Sequence, residues 1–221
     1  MKKNVYERIK DYLTDSLVFL RKFFKEPRQV GSILPSSDFL AEEITRYVRS
    51  EASSKPQCYL EAGAGTGAFT EYILKKMAPQ DHLDIIEIDE VFCELLQKKY
   101  KLHKNVHIHQ GSILDWHPLI SYEGIISSLP FNAFEPALVQ EILLHYQLLT
   151  KEGGVISYFE YQGFLEMKKI IFGSQMRKDS LQKAEWIAKF SAPYILSRET
   201  IWKNFPPAIV HHLRMQSFNR L

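Results

Sequence analysis

The chain has 221 residues, 45% of them hydrophobic, and a formal net charge of +2. That length suits one domain with a full core, and the composition is that of a soluble globular protein, not a low-complexity or disordered one. Two cysteines, Cys58 and Cys93, without CxxC spacing argue against a disulfide framework and fit a reducing, cytoplasmic compartment.

Met1-Lys2-Lys3 is followed by interrupting charges, so no secretory signal is expected. No apolar run is long enough to span a bilayer. The near-neutral total hides an asymmetry. Bases outnumber acids from Gln162 to Leu221 and again in the N-terminal segment. Basic ends suit an anionic partner, phospholipid or nucleic acid, or else a solvated surface.

Residues 4–25 read as one amphipathic helix. Val5, Ile9, Tyr12, Leu13, Phe19, Leu20, Phe23 and Phe24 fall on one stripe, flanked by Arg8, Lys10, Arg21, Lys22 and Lys25. Aromatic residues with flanking bases suit a helix lying in a membrane interface, and the same stripe suits packing on a domain. Glu26-Pro27 ends it. Gln29–Ser37 is rich in turn formers, and Asp38–Arg49 is the next helix. Strand and helix patterns then alternate. Strands are expected at Cys58–Glu61, Leu83–Asp89, Val106–Gln110, Gly124–Ser128 and Val155–Phe159. Helices are expected at Ala68–Met77, Val91–Tyr100 and Pro136–Leu149. That alternation predicts a parallel sheet with helices on both faces. Helices at Leu165–Phe172 and Leu181–Ala188 follow, then strands at Tyr194–Arg198 and Ile209–Leu213. No crossover helix lies between those two strands, so they should be antiparallel neighbours. The expected organisation is residues 1–30 as N-terminal helix and connecting segment, and residues 31–221 as one α/β domain.

The organising stretch is Glu61-Ala62-Gly63-Ala64-Gly65-Thr66-Gly67, a strand end, a glycine turn and a helix start. Glycines allow positive φ and close ligand approach, and the helix start offers unpaired N–H groups. Glu87 stands about 20 residues on, where a ribose-binding acid belongs. The glycines alone also satisfy a dinucleotide rule. Three features separate the readings: Glu61 before the first glycine, placed to meet a cationic amino-acid group; two helices ahead of the first strand; and the antiparallel final pair.

On these motifs the chain resembles the class I S-adenosylmethionine-dependent methyltransferases. Glu61–Gly67 is similar to their first motif, Ile86-Glu87-Ile88-Asp89 to the second, Gly111-Ser112-Ile113 to the adenine-flanking position, and Lys151-Glu152-Gly153-Gly154 to the turn before strand five. The resemblance implies a Rossmann-like, doubly wound seven-stranded sheet, with five parallel strands and an antiparallel terminal pair. It implies S-adenosylmethionine as cofactor, with S-adenosylhomocysteine as product. The implied cofactor residues are Glu61, Gly63, Ala64, Gly65, Gly67, Glu87, Ile88, Ser112, Ile113 and Ser128. Ser112 stands where many members carry Asp.

Two subfamilies compete for the acceptor. Ser128-Leu129-Pro130-Phe131 resembles the N-L-P-Y motif of rRNA adenine dimethyltransferases, with Ser128 replacing the amide. The segments Phe24–Ser37, Ser127–Phe131 and Asn204-Phe205-Pro206-Pro207-Ala208 look like those of bacterial phospholipid N-methyltransferases. The second resemblance implies methylation of an amine headgroup such as phosphatidylethanolamine by an enzyme on the inner membrane face. RNA adenine methylation is the alternative, and a non-catalytic membrane- or partner-binding module is the next. Ser128, Leu129 and Pro130 are expected to position the amine. Phe131, Tyr158 and Tyr161, near the ends of strands four and five, would face a methylated ammonium, which favours aromatic faces. Phe134 is a further candidate. No residue is assigned as general base, and the His107/His109 and His211/His212 pairs lack partners at zinc spacing, so no metal is expected.

Overall fold

The computed structural model describes residues 38–49, 55–132, 134–162, 175–204 and 206–216. The expected helices over 4–25 and 165–172, and the Gln29–Ser37 segment, lie outside these residues. The described elements in chain order are α1 (Asp38–Ile44), β1 (Cys58–Ala62), α2 (Ala68–Lys76), β2 (His82–Glu87), α3 (Glu90–Tyr100), β3 (Val106–Gln110), β4 (Tyr122–Ser127), α4 (Pro136–Leu149), β5 (Thr150–Tyr161), α5 (Gln175–Ser191), β6 (Ile195–Ile201) and β7 (Ala208–Arg214).

The strands form one seven-stranded sheet in the order β3-β2-β1-β4-β5-β7-β6. Neighbours from β3 through β5 are parallel, while β7 runs antiparallel to both β5 and β6. This is the doubly wound sheet with an antiparallel terminal pair that the sequence implied. Strand order reverses between β1 and β4, and ligands of such sheets lie beyond the strands' carboxyl ends at that point.

Strand alternation sends side chains to two cores. Leu60, Tyr122, Ile125, Ile156 and Leu213 pack with Val139, Ile142, Leu143 and Tyr146 of α4 and Ile187 of α5. Tyr59, Leu83, Ile85, Ile126 and Val210 pack on the opposite face with Leu40 and Ile44 of α1, Phe69 and Ile73 of α2, and Leu96 and Tyr100 of α3. The first core also holds a polar chain. Trp116 Nε1 donates to Tyr122 Oη (2.9 Å), which donates to the buried Asp84 Oδ2 (2.8 Å), and His109 Nε2 lies 2.8 Å from Asp84 Oδ1.

Several boundaries differ from expectation, and two of them have a clear local reason. β2 ends at Glu87, because Asp89 serves instead as the α3 N-cap, accepting from Val91 N and Phe92 N. β5 begins at Thr150, not Val155. Thr150 pairs with Tyr122 and Val155 with Gly124, so the intervening residues bulge from the ladder, with Gly153 at φ 78°.

Candidate cofactor and acceptor site

Backbone hydrogen bonds gather the carboxyl ends of four strands. Gly63 N donates to Ile86 O (2.8 Å), Gly111 N to Glu87 O (2.9 Å) and Ser128 N to Ala62 O (2.9 Å). The glycine turn leaves β1 with Gly63, Gly65 and Gly67 at φ 74°, 56° and 82°. L-residues with side chains are strained there. Gly63 also lies against Leu129, since a Cβ on it would stand 2.6 Å from Leu129 Cδ2. A Cβ on Gly65 or Gly111 would meet nothing within 4 Å among the described residues, so both backbones border space open among them. Gly67 caps α2 without a side-chain hydrogen bond, and Tyr100 Oη donates to its carbonyl (3.1 Å).

Two carboxylates flank this turn. Glu61 is fully buried; Thr70 Oγ1 donates to its Oε2 at 2.6 Å, while Oε1 has no partner among the described residues. Burial pushes its carboxyl up to about 8. Glu87 is 5% exposed and joins β2 to the turn. Its Oε2 accepts from Gly65 N (2.8 Å), and its Oε1 accepts from Ile88 N (2.8 Å) and Asp89 N (2.9 Å). Burial raises its pKa, opposed by those three donors. Ser112 caps the short turn Ile113–Asp115 by accepting from Leu114 N (3.2 Å). Ile113 is buried beside it, Ile88 is half-buried, and Ala64 is 7% exposed in the α1–α3 core.

The corner after β4 closes the site. Ser128 Oγ is buried and has no partner among the described residues. Leu129 O accepts from Phe131 N (2.9 Å), and Pro130 is half-buried next to it. Glu61 Oε1 and Ser128 Oγ are thus polar atoms without partners among the described residues, at the carboxyl ends of β1 and β4. A bound polar molecule accounts for such atoms. The residues present therefore fit S-adenosylmethionine, which has an ammonium, a carboxylate, ribose hydroxyls and an adenine edge to be held.

The three aromatics expected to face the acceptor do not form one cluster. Phe131 and Tyr158 have no exposed surface and pack together on the α4–α5 side, with ring centroids 5.3 Å apart. Tyr161 packs with Phe159 (5.1 Å) on the opposite face. An odd separation along a strand sends two side chains to opposite sides, which corrects the grouping of Tyr158 with Tyr161. Phe134, 4% exposed, joins the Phe131 side.

Thr70, Tyr100, Asn132 and Lys183 also shape the site, and no sequence motif singled them out. Asn132 Oδ1 accepts from Tyr161 N (2.8 Å) and its Nδ2 donates to Tyr161 O (3.3 Å), tying the β4 corner to the end of β5. Their signal is a long-range contact, invisible in spacing.

This chain is similar to known proteins in sequence and in fold. The family profile of ribosomal RNA adenine dimethylases matches residues 21–151. An ornithine lipid N-methyltransferase of Singulisphaera acidiphila is 28% identical over 59% of this chain and 69% of its own length. A ribosomal RNA small subunit methyltransferase A of Coxiella burnetii is 29% identical over 50% of this chain, and the alignment spans 42% of that enzyme. Among solved structures, N-methyltransferase NodS of Bradyrhizobium japonicum with S-adenosyl-L-homocysteine superposes at TM-score 0.60, with 14% identity, over 91% of this chain and 98% of NodS. A Burkholderia thailandensis 1,6-didemethyltoxoflavin-N1-methyltransferase superposes at 0.65, with 11% identity, over 98% of this chain and 93% of its own. These structures share the fold; the profile match over more than half the sequence shows that the chain belongs to the ribosomal RNA adenine dimethylase family and is a class I S-adenosylmethionine-dependent methyltransferase.

Proposed function

We propose that this enzyme N-methylates a primary amine on a membrane-lipid headgroup, of the phosphatidylethanolamine or ornithine-lipid kind, working from the cytoplasm at the inner membrane face. The observation that carries this reading is Ser128. Its buried hydroxyl stands unpartnered at the β4 corner, where the RNA enzymes' motif has an amide. An exocyclic adenine amine is a poor nucleophile and benefits from that strong acceptor. A deprotonated alkyl amine is a good one and needs placement and exclusion of water. A single hydroxyl suffices to orient it.

The cofactor supplies an electrophilic methyl on a sulfonium. The chain's part is to hold both reactants. The free Glu61 Oε1 suits the cofactor's ammonium, and a cation there favours the ionised carboxylate that burial otherwise disfavours. Glu87 retains lone pairs for ribose hydroxyls beyond the three backbone donors it accepts. Gly111, Ser112, Ile113 and Ile88 border the adenine end. Ser128, with Leu129 and Pro130, places the amine, and Phe131 and Tyr158 form the wall behind that corner.

The rim of the domain supports a lipid surface. No helix among the described residues is long and apolar enough to cross a membrane. Trp202 and Phe39 are 73% and 52% exposed, and Lys203 Nζ sits 4.4 Å from the Phe39 ring centre. The β6–β7 turn carrying Trp202 meets the carboxyl end of β5, where Gln162 N donates to Pro207 O (2.7 Å). An exposed Trp with a neighbouring Lys at the active end of the sheet suits a bilayer interface. The lipid-active relative from Singulisphaera agrees with this reading.

The test is labelled methyl transfer to vesicles containing phosphatidylethanolamine or ornithine lipid, against small-subunit rRNA. Transfer to vesicles is the expected result, and transfer to RNA alone would overturn the proposal. RNA adenine methylation is the second reading, favoured by the profile match. Failure to bind S-adenosylmethionine would instead favour a non-catalytic module.

A further inference from the structure

We propose that Lys183 is a positioning residue for methyl transfer, fixing the corner after β4 on which the acceptor is placed. The proposal rests on the methyltransferase reading of the site and is independent of which acceptor is used. Lys183 lies on α5, far along the chain from the motifs and beyond the family-matched span that ends at residue 151. It is 6% exposed. Lysine is rarely buried, because its ammonium is costly to desolvate without partners.

It bonds backbone groups of one loop. Lys183 Nζ donates to Phe131 O (2.8 Å), Phe134 O (2.9 Å) and Asn132 O (3.3 Å). An ammonium has three N–H donors, and three carbonyls of this loop lie within reach of them. This loop follows Ser128 and Leu129 directly. On its far side Leu129 lies against Gly63 of the glycine turn, and Asn132 is paired with the Tyr161 backbone at the end of β5. The segment is therefore held by the cofactor turn, by β5 and by α5. The α5 tether is a charged group, and its removal takes a donor from three carbonyls of this loop.

The consequence is specific. The cofactor cradle is built from β1, β2 and their turns, none of which Lys183 contacts through these bonds. The acceptor corner depends on it. Loosening that corner should lower turnover while leaving cofactor affinity in place, since displacement of a reacting group by about 1 Å costs on the order of 100-fold in rate.

The experiment uses the full chain and Lys183→Met, with Lys183→Arg as the conservative variant. Arg keeps the charge and donors but presents a planar fork, not three diverging bonds. Calorimetry with S-adenosylmethionine should give dissociation constants within about threefold of wild type for both variants. With whichever acceptor the wild type methylates, kcat should fall by about 100-fold in Lys183→Met and about tenfold in Lys183→Arg. Amide hydrogen exchange followed by mass spectrometry supplies a readout that needs no acceptor. Exchange should accelerate in peptides covering 128–135 and stay unchanged in those covering 61–70. Unchanged exchange at 128–135, acceleration throughout the domain, or cofactor affinity lost in step with kcat would each overturn the proposal. If Lys183→Met fails to fold, Lys183→Arg decides on the same readouts, and unaltered kcat with unaltered exchange refutes the assignment. A wild type inactive on both lipid and RNA sinks the substrate reading alone, and the exchange result still decides on Lys183.

Discussion

Gly65→Ala should separate cofactor binding from folding. At Gly65 φ is 56° and an added methyl meets nothing within 4 Å among the described residues, so the structural cost there is backbone strain. That strain is about 1–2 kcal/mol for a residue bearing a Cβ. In a domain of this size each kcal/mol lowers Tm by roughly 2–4 °C, so the variant should melt about 2–8 °C below wild type. Gly63→Ala carries similar strain at φ 74° and also drives its methyl to 2.6 Å from Leu129 Cδ2. Overpacking of that kind adds about 1–3 kcal/mol, for a fall of roughly 4–20 °C. Scanning calorimetry should therefore find Gly65→Ala the milder lesion. Titration with S-adenosylmethionine should find it severe, with affinity down at least about 100-fold, or about 2.7 kcal/mol. The methyl occupies space through which a ligand must approach the backbone. A Gly65→Ala protein that melts in the expected range yet binds the cofactor as wild type would refute the assignment of that space.

Other perturbations test separate links. The Glu61 carboxyl has a folded pKa of about 8 against an ordinary 4.5, so its favourable contribution is complete below about 4.5 and is lost as pH rises through about 8. The Tm of the cofactor-free protein should fall over that interval, and Glu61→Gln should flatten the slope; identical pH profiles would deny the carboxyl its role. Tyr122→Phe removes the hydroxyl joining Trp116 to Asp84 and should cost about 1–3 kcal/mol in denaturant unfolding, without changing cofactor affinity. Ser128→Ala should leave calorimetric cofactor binding within about threefold and lower kcat on aminolipid vesicles by about tenfold or more, and unchanged turnover would remove Ser128 from the acceptor site. Deleting residues 1–25 should weaken flotation with anionic vesicles, while undiminished binding would shift the anchor to the Trp202 rim.

The sheet was legible because its signals are local. Strands such as Leu83-Asp84-Ile85-Ile86 are continuous runs fit for burial on both faces, and both cores receive them. Boundaries slipped where one polar residue changed employment, as with Asp89, or where a glycine pair permitted a bulge, as at Gly153-Gly154. The backbone of the proposed cofactor side was equally readable. Positive φ at three glycines and an acid at the end of β2 are demands that backbone geometry writes into residue type. The acceptor side was not. Tyr158 and Tyr161 looked equivalent in sequence because both follow the same strand, and only the pleat parts them. Lys183 looked like one base among many, because its meaning lies in carbonyls some fifty residues away.

That contrast bears on how acceptor choice is encoded. The proposed cofactor contacts are backbone groups of the glycine turn and Glu87, which also fasten β1 to β2. Changing them loosens the sheet, so a change of substrate is more easily made elsewhere. The β4 corner contributes one orphaned hydroxyl, a leucine resting on Gly63 and a loop whose carbonyls are held from α5. A substitution there, or in the partners that hold it, re-aims the acceptor without altering any strand pairing. Similarity over residues 21–151 covers the glycine turn, Glu87 and the whole corner after β4. Tyr161, Lys183 and the Trp202 turn lie beyond that span. The identity of the methylated amine should be sought in those residues together with Ser128, and not in the glycine motif that first marks the chain.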